Sequence, residues 1–269
     1  MKVNIKYEEN DKGVFDYKLS NNSISNIHGF RNFDGKQKDI VCLGAAQTMG
    51  RYSHNPFPML IQDNTKYSVA NFGFGGVGDY QYNTNEFLDY INASKLCVYQ
   101  INSGRSTKNF NEIWNLGNTP INERPPKIVE LYKNNFSDFK SKFDKNKQEY
   151  LADAKSLIQQ IKVPILFVFV AKHGLDDVDE VKISNEQPME LLNNFPQFVT
   201  KQMVEEMTNG FKLGCFTQVQ TKRLPKPIID NESPQRNKMF ATDAYYPDQE
   251  THFNIAEWLI PKIKEILEK

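Results

Sequence analysis

Cysteine is scarce in this chain: three among 269 residues, Cys42, Cys97 and Cys215, each inside an apolar run. An odd count at such wide spacing excludes a disulfide framework and gives no zinc-ligand spacing. All three are expected to be buried thiols that pack as small hydrophobes. Net charge is absent as well, with 33 Lys plus Arg against 33 Asp plus Glu. That balance removes any general pull toward nucleic acid or an anionic membrane surface, so neither is expected as a partner. The most apolar run, 163–171, is too short to span a bilayer. The opening MKVNIKYEEN has no signal-like apolar stretch, so the chain reads as cytoplasmic. Histidine is limited to four residues without metal-ligand spacing, and no glycine-rich loop ends in Lys-Ser or Lys-Thr. No metal and no cofactor are expected.

Aromatic residues, by contrast, make up 12% of the chain, which argues for a packed core despite many polar residues. Apolar runs at 39–45, 67–72, 95–101, 163–170 and 211–219 read as strands buried on both faces. Helical patterns fall at 56–62, 85–93, 127–143, 147–161, 195–208 and 251–268, the last with Ile255, Leu259, Ile263 and Leu267 on one stripe. Pro261 is expected to bend or end that helix. Strands alternating with helices predict an α/β fold: a three-layer, open, mostly parallel sheet with helices on both faces, flavodoxin-like in plan. Residues 1–38, polar with turn signals, read as an extension laid against a domain at 39–269. The acidic stretch 176–190 reads as an exposed insertion.

Ligands of open parallel sheets bind outside the carboxyl ends of the strands, so the loops there hold the candidate residues. The first loop, Gly44-Ala45-Ala46-Gln47-Thr48-Met49-Gly50-Arg51, offers an amide at Gln47, a hydroxyl at Thr48 and a guanidinium at Arg51 suited to a carboxylate, sulfate or phosphate. A tight turn with no ligand is the plainer alternative. The second, from Asn71 to Asp79, carries Gly73, Gly75, Gly76 and Gly78, whose N–H groups could form an anion-binding concavity or simply a turn. The third, Asn102-Ser103-Gly104-Arg105-Ser106, contributes Arg105, either to a ligand or to solvent. The last, 243–252, holds Tyr246, Asp248 and His252; Asp248 or Thr251 could cap the final helix, and His252 could face the site or sit in the first helical turn. Of the remaining histidines, His54 lies nearest the first loop, while His28 and His173 read as ordinary loop residues.

Together the four loops resemble the blocks of the SGNH-hydrolase superfamily. Gly44-Ala45-Ala46 has the layout of that family's Gly-Asp-Ser, with Ala46 in place of the serine. Asn71, Gly73 and Gly76 match Asn-x-Gly-x-x-Gly. The third block, Gly-x-Asn, is matched poorly around Gly104 and Arg105. The final Asp-x-x-His falls either on Asp243 and Tyr246, which keep the spacing, or on Asp248 and His252, which keep the residue types; the second is preferred. The LGAAQT loop, the PFP segment at 56–58 and the YYP segment at 245–247 also resemble an uncharacterised bacterial family. The expected gathering of Gln47, Thr48, Arg51, Arg105 and His252 at one sheet edge points to an enzyme of polysaccharide or polar-metabolite modification, transferring or removing an acyl or other anionic group. Without a serine, Thr48 or the acceptor's own hydroxyl would attack, and His252 would move the proton. Gln47, Arg51, Gly73, Gly76, Arg105, Tyr246 and Asp248 would bind a small-molecule or saccharide substrate. A non-catalytic binding protein and a sulfotransferase are the alternatives.

Overall fold

In the computed structural model, residues 1–12, 14–108, 124–180, 195–217 and 245–269 are described. Five strands, β3 (Ile40–Leu43), β4 (Val69–Asn71), β5 (Leu96–Gln100), β6 (Ile165–Ala171) and β7 (Lys212–Thr217), form one parallel sheet in the order β4-β3-β5-β6-β7. Four fall inside the apolar runs read as strands, and β6 runs one residue past the end of its run at 170. A short antiparallel pair, β1 (Ser23–Ile24) and β2 (Ile27–His28), lies outside it.

Alternation along each strand divides the core in two. Val41, Leu43, Cys97, Tyr99 and Phe167 point to a face covered by α4 (Asn85–Asn92), α6 (Phe136–Gln160) and α7 (Lys201–Thr208). Ile40, Cys42, Leu96, Val98 and Leu166 point to the other, covered by α3 (Phe57–Asp63) and α8 (Gln249–Leu267). The fold is therefore α/β with helices around a parallel sheet. β4 lies on one side of β3 and the later strands on the other, so the connections diverge at the carboxyl ends of β3 and β5, where such sheets open a crevice.

The first 38 residues are more than a surface layer. Val3, Ile24, Ile27, Phe30 and Phe33 belong to the same buried cluster as Val41 and Phe72. Phe30 meets Phe72 edge-on, ring centroids 4.9 Å apart. Arg31, also buried, donates to the carbonyls of Met49 (3.3 Å), Gly50 (2.9 Å), Ser53 (2.9 Å) and His54 (2.8 Å). Burial pushes its guanidinium down to about 10, still charged at neutral pH. The loop after the first core strand is thus held by a residue from the extension.

Several local expectations change. The patterns at 127–143 and 147–161 are not two helices divided near 145. The break falls at Asn135, whose side chain caps α6 by accepting from the Asp138 N–H, after a separate helix α5 (Arg124–Asn134). Phe139, Phe143, Tyr150, Ala154 and Leu157 then keep one buried stripe across the junction. Pro261 lies inside α8 without ending it, because Ile255, Leu259 and Ile263 are buried on both sides of it and outweigh one lost backbone hydrogen bond. The helix expected from 195 begins at Lys201, capped by Thr200. Cys42 and Cys97 are buried, but Cys215 is exposed, since β7 is an edge strand with only one of its residues buried. Within the acidic stretch, Leu175–Val178 form a 3-10 turn with Val178 buried; residues 181–190 lie outside the described residues, as does Asp243. Among the described residues no helix is long and apolar enough to cross a membrane.

Candidate active site: a crevice over Ala46

Ala45 ends the turn after β3, and α2 (Ala46–Met49) starts at once on four buried residues. Small side chains are needed there. A Cβ on Gly44 would lie 2.2 Å from Thr48 Oγ1, and one on Gly73 would lie 2.2 Å from the Met49 nitrogen, so the first two loops touch backbone to backbone. Asn71 fastens them, donating from Nδ2 to the Thr48 carbonyl (3.0 Å) and accepting at Oδ1 from the Gly73 N–H (3.0 Å).

Over this junction lies a narrow crevice of about 20 Å³, room for about one water. Its lining draws on all four predicted loops: Ala45, Ala46 and Gln47 from the first, Gly76 and Val77 from the second, Ser103, Arg105 and Ser106 from the third, Tyr245 and Tyr246 from the last. Tyr7 and Phe195 complete it. Segments far apart in sequence thus meet at one sheet edge. The wall is a polar chain: Arg105 Nη2 donates to the Tyr245 hydroxyl (3.0 Å), Gln197 Nε2 donates to the same oxygen (3.3 Å), and Ser103 Oγ donates to Gln197 Oε1 (2.9 Å). Gln47 Nε2 reaches the Tyr245 carbonyl at 3.4 Å.

The remaining predicted residues lie elsewhere. Thr48 is buried beneath the crevice, its hydroxyl donating to Gln100 Oε1 at 2.5 Å, so it has no path to a ligand. Gly73 supplies close packing, and its N–H is taken by Asn71. Asp248 caps α8, Oδ1 accepting from the Thr251 N–H and hydroxyl at 2.8 Å each. His252, 0% exposed, packs between α8 and α3, its ring stacked on Phe57 and its Nδ1 accepting from the Phe57 N–H (3.3 Å). Burial, reinforced by the charge on Arg31, pushes the imidazole down to about 3. It is a neutral core residue outside the crevice lining.

Arg51 turns away too. Its Nε and Nη2 bind the two carboxylate oxygens of Asp11 at 3.1 and 3.3 Å, and Nη1 donates to the Tyr246 hydroxyl at 3.2 Å. Tyr7, Tyr52 and Tyr246 present ring faces to the guanidinium, centroids 4.2, 4.6 and 5.1 Å away. Asp11 comes from α1 (Ile5–Asp11) of the extension, which no local pattern pairs with residue 51. Of the two predicted arginines, only Arg105, half-buried, lines the crevice.

Deeper under the third loop lies a carboxyl that sequence reasoning did not single out. Asp79, 1% exposed, accepts from Asn102 Nδ2 at 2.6 Å. Burial pushes it up to about 6, against the opposing influence of the Tyr99 hydroxyl and the hydrogen bond from Asn102. Tyr150 donates its hydroxyl to the Asn102 carbonyl (2.9 Å), so the third loop rests on this buried polar group. Among the described residues no cluster of three or more His, Cys, Asp or Glu is placed to hold a metal ion.

The family model described as "Domain of unknown function (DUF6473)" matches residues 5–141, which take in α1, the first three core strands and the first three crevice loops. No curated protein matches the chain.

Proposed function

This chain belongs to the DUF6473 family, and from that premise we propose that it is an SGNH-like binding protein without catalysis, holding a saccharide or polar metabolite by an acyl or other anionic group. One observation supports the reading: Ala46, which the SGNH resemblance aligns with the serine, lines the crevice, and the two groups that could replace its chemistry, Thr48 and His252, are buried outside it. An alanine methyl cannot attack a carbonyl, and an imidazole buried outside the crevice, its Nδ1 taken by the Phe57 N–H, does not reach a ligand's proton. Acyl or group transfer through an acceptor hydroxyl loses its base for the same reason. Sulfo-group transfer loses half its positive charge, because Arg51 is bound to Asp11.

Recognition is left to Arg105, Gln47, Ser103 and Ser106. A bound anion would displace the Tyr245 side chain, widening a crevice that otherwise holds about one water, and take the place of its hydroxyl on the Arg105 guanidinium, exchanging a neutral acceptor for a charged one, the stronger of the two hydrogen bonds. Arg105→Ala should weaken binding of inorganic sulfate, or of any acidic or acylated sugar that raises the melting temperature, by about 10- to 100-fold. Arg51→Lys should leave that affinity within about threefold once any loss of stability is allowed for, since Arg51 lies outside the lining. Equal binding by Arg105→Ala and the native chain, measured by calorimetry, refutes the assignment.

A further inference from the structure

A second cavity, about 600 Å³, opens between the first nine residues and the second loop. That volume is in the range of sites for drug-sized ligands, about 300–1,000 Å³. It adjoins the crevice: Tyr7 and Gly76 line both. The Tyr7 hydroxyl lies 2.1 Å from where a Gly75 Cβ would stand, so its ring forms the partition. Gly76, at φ +76°, has nothing within 4 Å of its own absent Cβ and leaves the passage beside that ring open. The floor is fixed. Asn4 donates to the carbonyls of Gly29 and Gly73 (3.1 Å each) and accepts from the Gly75 N–H (3.2 Å). Its residue conformation, φ 63°, aims that side chain at the loop.

Two lysines bring positive charge to this cavity. Lys2 and Lys6 line it, both exposed, and among the described residues neither makes an ion pair. Glu9 is the acidic residue of the lining. Arg105 lies beyond the Tyr7 partition, so the two adjoining spaces together are lined by three positive groups, one acidic residue, glycine backbone and aromatic ring. Flat apolar patches between polar groups suit the C–H faces and hydroxyls of sugar rings.

Building on the proposed binding function, we infer that crevice and cavity form one elongated site for an acidic oligosaccharide, with one carboxylate or sulfate at Arg105 and a second near Lys2 and Lys6. The test is calorimetry with three probes on the full chain: inorganic sulfate, trigalacturonate and the neutral trisaccharide maltotriose. Trigalacturonate should bind at least about tenfold tighter than either of the others, and Lys2→Ala/Lys6→Ala should remove about tenfold of that affinity while leaving sulfate unchanged. Both lysines are exposed, so the variant keeps its melting temperature. Sulfate binding that depends on Arg105, with no gain for trigalacturonate or no loss in the double variant, overturns the elongated site and leaves the crevice reading standing. Failure of sulfate and trigalacturonate alike refutes both.

Discussion

Asp11→Ala should destabilise the chain by about 3–5 kcal/mol, the cost of leaving a buried charge without its partner. The pair it breaks is nearly inaccessible: the Arg51 and Asp11 side chains are 6% and 0% exposed. Burial alone would disfavour the guanidinium's charge, but the Asp11 carboxylate together with Tyr246 and Tyr52 more than offsets it, and the arginine is held above its ordinary range. Removing Asp11 leaves Arg51 against three tyrosine rings and one phenol oxygen, and takes away the acceptor of the Tyr17 hydroxyl (2.7 Å). Thermal denaturation should show a fall of roughly 10 °C. Because both charges are out of solvent, the loss should change little between low and high salt. Asp11→Ala/Arg51→Met, which removes both charges, should recover most of it. A loss under about 1 kcal/mol for the single variant would mean that α1 is not anchored through this pair.

Asp79→Asn should act in the opposite direction, stabilising the chain at pH 7.5 by up to about 3 kcal/mol. The sign follows from where the proton sits. The folded state holds it up to about pH 6, whereas the unfolded carboxyl releases it near 3.8. Between those values the folded chain binds more protons, so its stability falls as pH rises from 3.8 through about 6 and stays low above. An asparagine never ionises, and its Oδ1 still accepts from Asn102. The gain should therefore be full above pH 7 and vanish near pH 4. His252 contributes a separate slope: its folded value of about 3 lies below the unfolded 6.5, so the stability it confers is present above 6.5 and lost as pH falls toward 3. That slope is common to both proteins, and their difference isolates Asp79. A pH-independent difference, or destabilisation at pH 7.5, would refute the buried, raised carboxyl.

Strand positions were legible in the sequence because buried parallel strands are short continuous apolar runs, and Ile40–Leu43 and Ile165–Ala171 are clear examples. The meeting of four loops followed from the alternation of strands and helices. What those loops do with their side chains did not. Arg51 and Arg105 look equivalent as sequence, each ending a strand-loop among small residues. Only the long-range pairing with Asp11, 40 residues earlier, separates a structural arginine from one lining the crevice. His252 is directed by helical phase: it lies one turn before Ala256 and three residues before Ile255, both buried, which puts it on the core stripe that faces α3. Gln100 carried a weak signal, a buried amide closing an apolar strand; it fixes Thr48 from below. Tyr7, Asn4 and Asp11 carried none, since the extension has no apolar periodicity to direct it onto the second loop.

The most direct measurement is labelling with a fluorophosphonate, a reagent that captures activated serines, on the native chain and on Ala46→Ser, read by intact mass. Introducing a hydroxyl alone should give neither a covalent adduct nor ester hydrolysis, because His252 stays buried against Phe57 and no base reaches the new oxygen. An adduct on Ser at position 46 would contradict the claim, since it would mean that a working base faces this crevice.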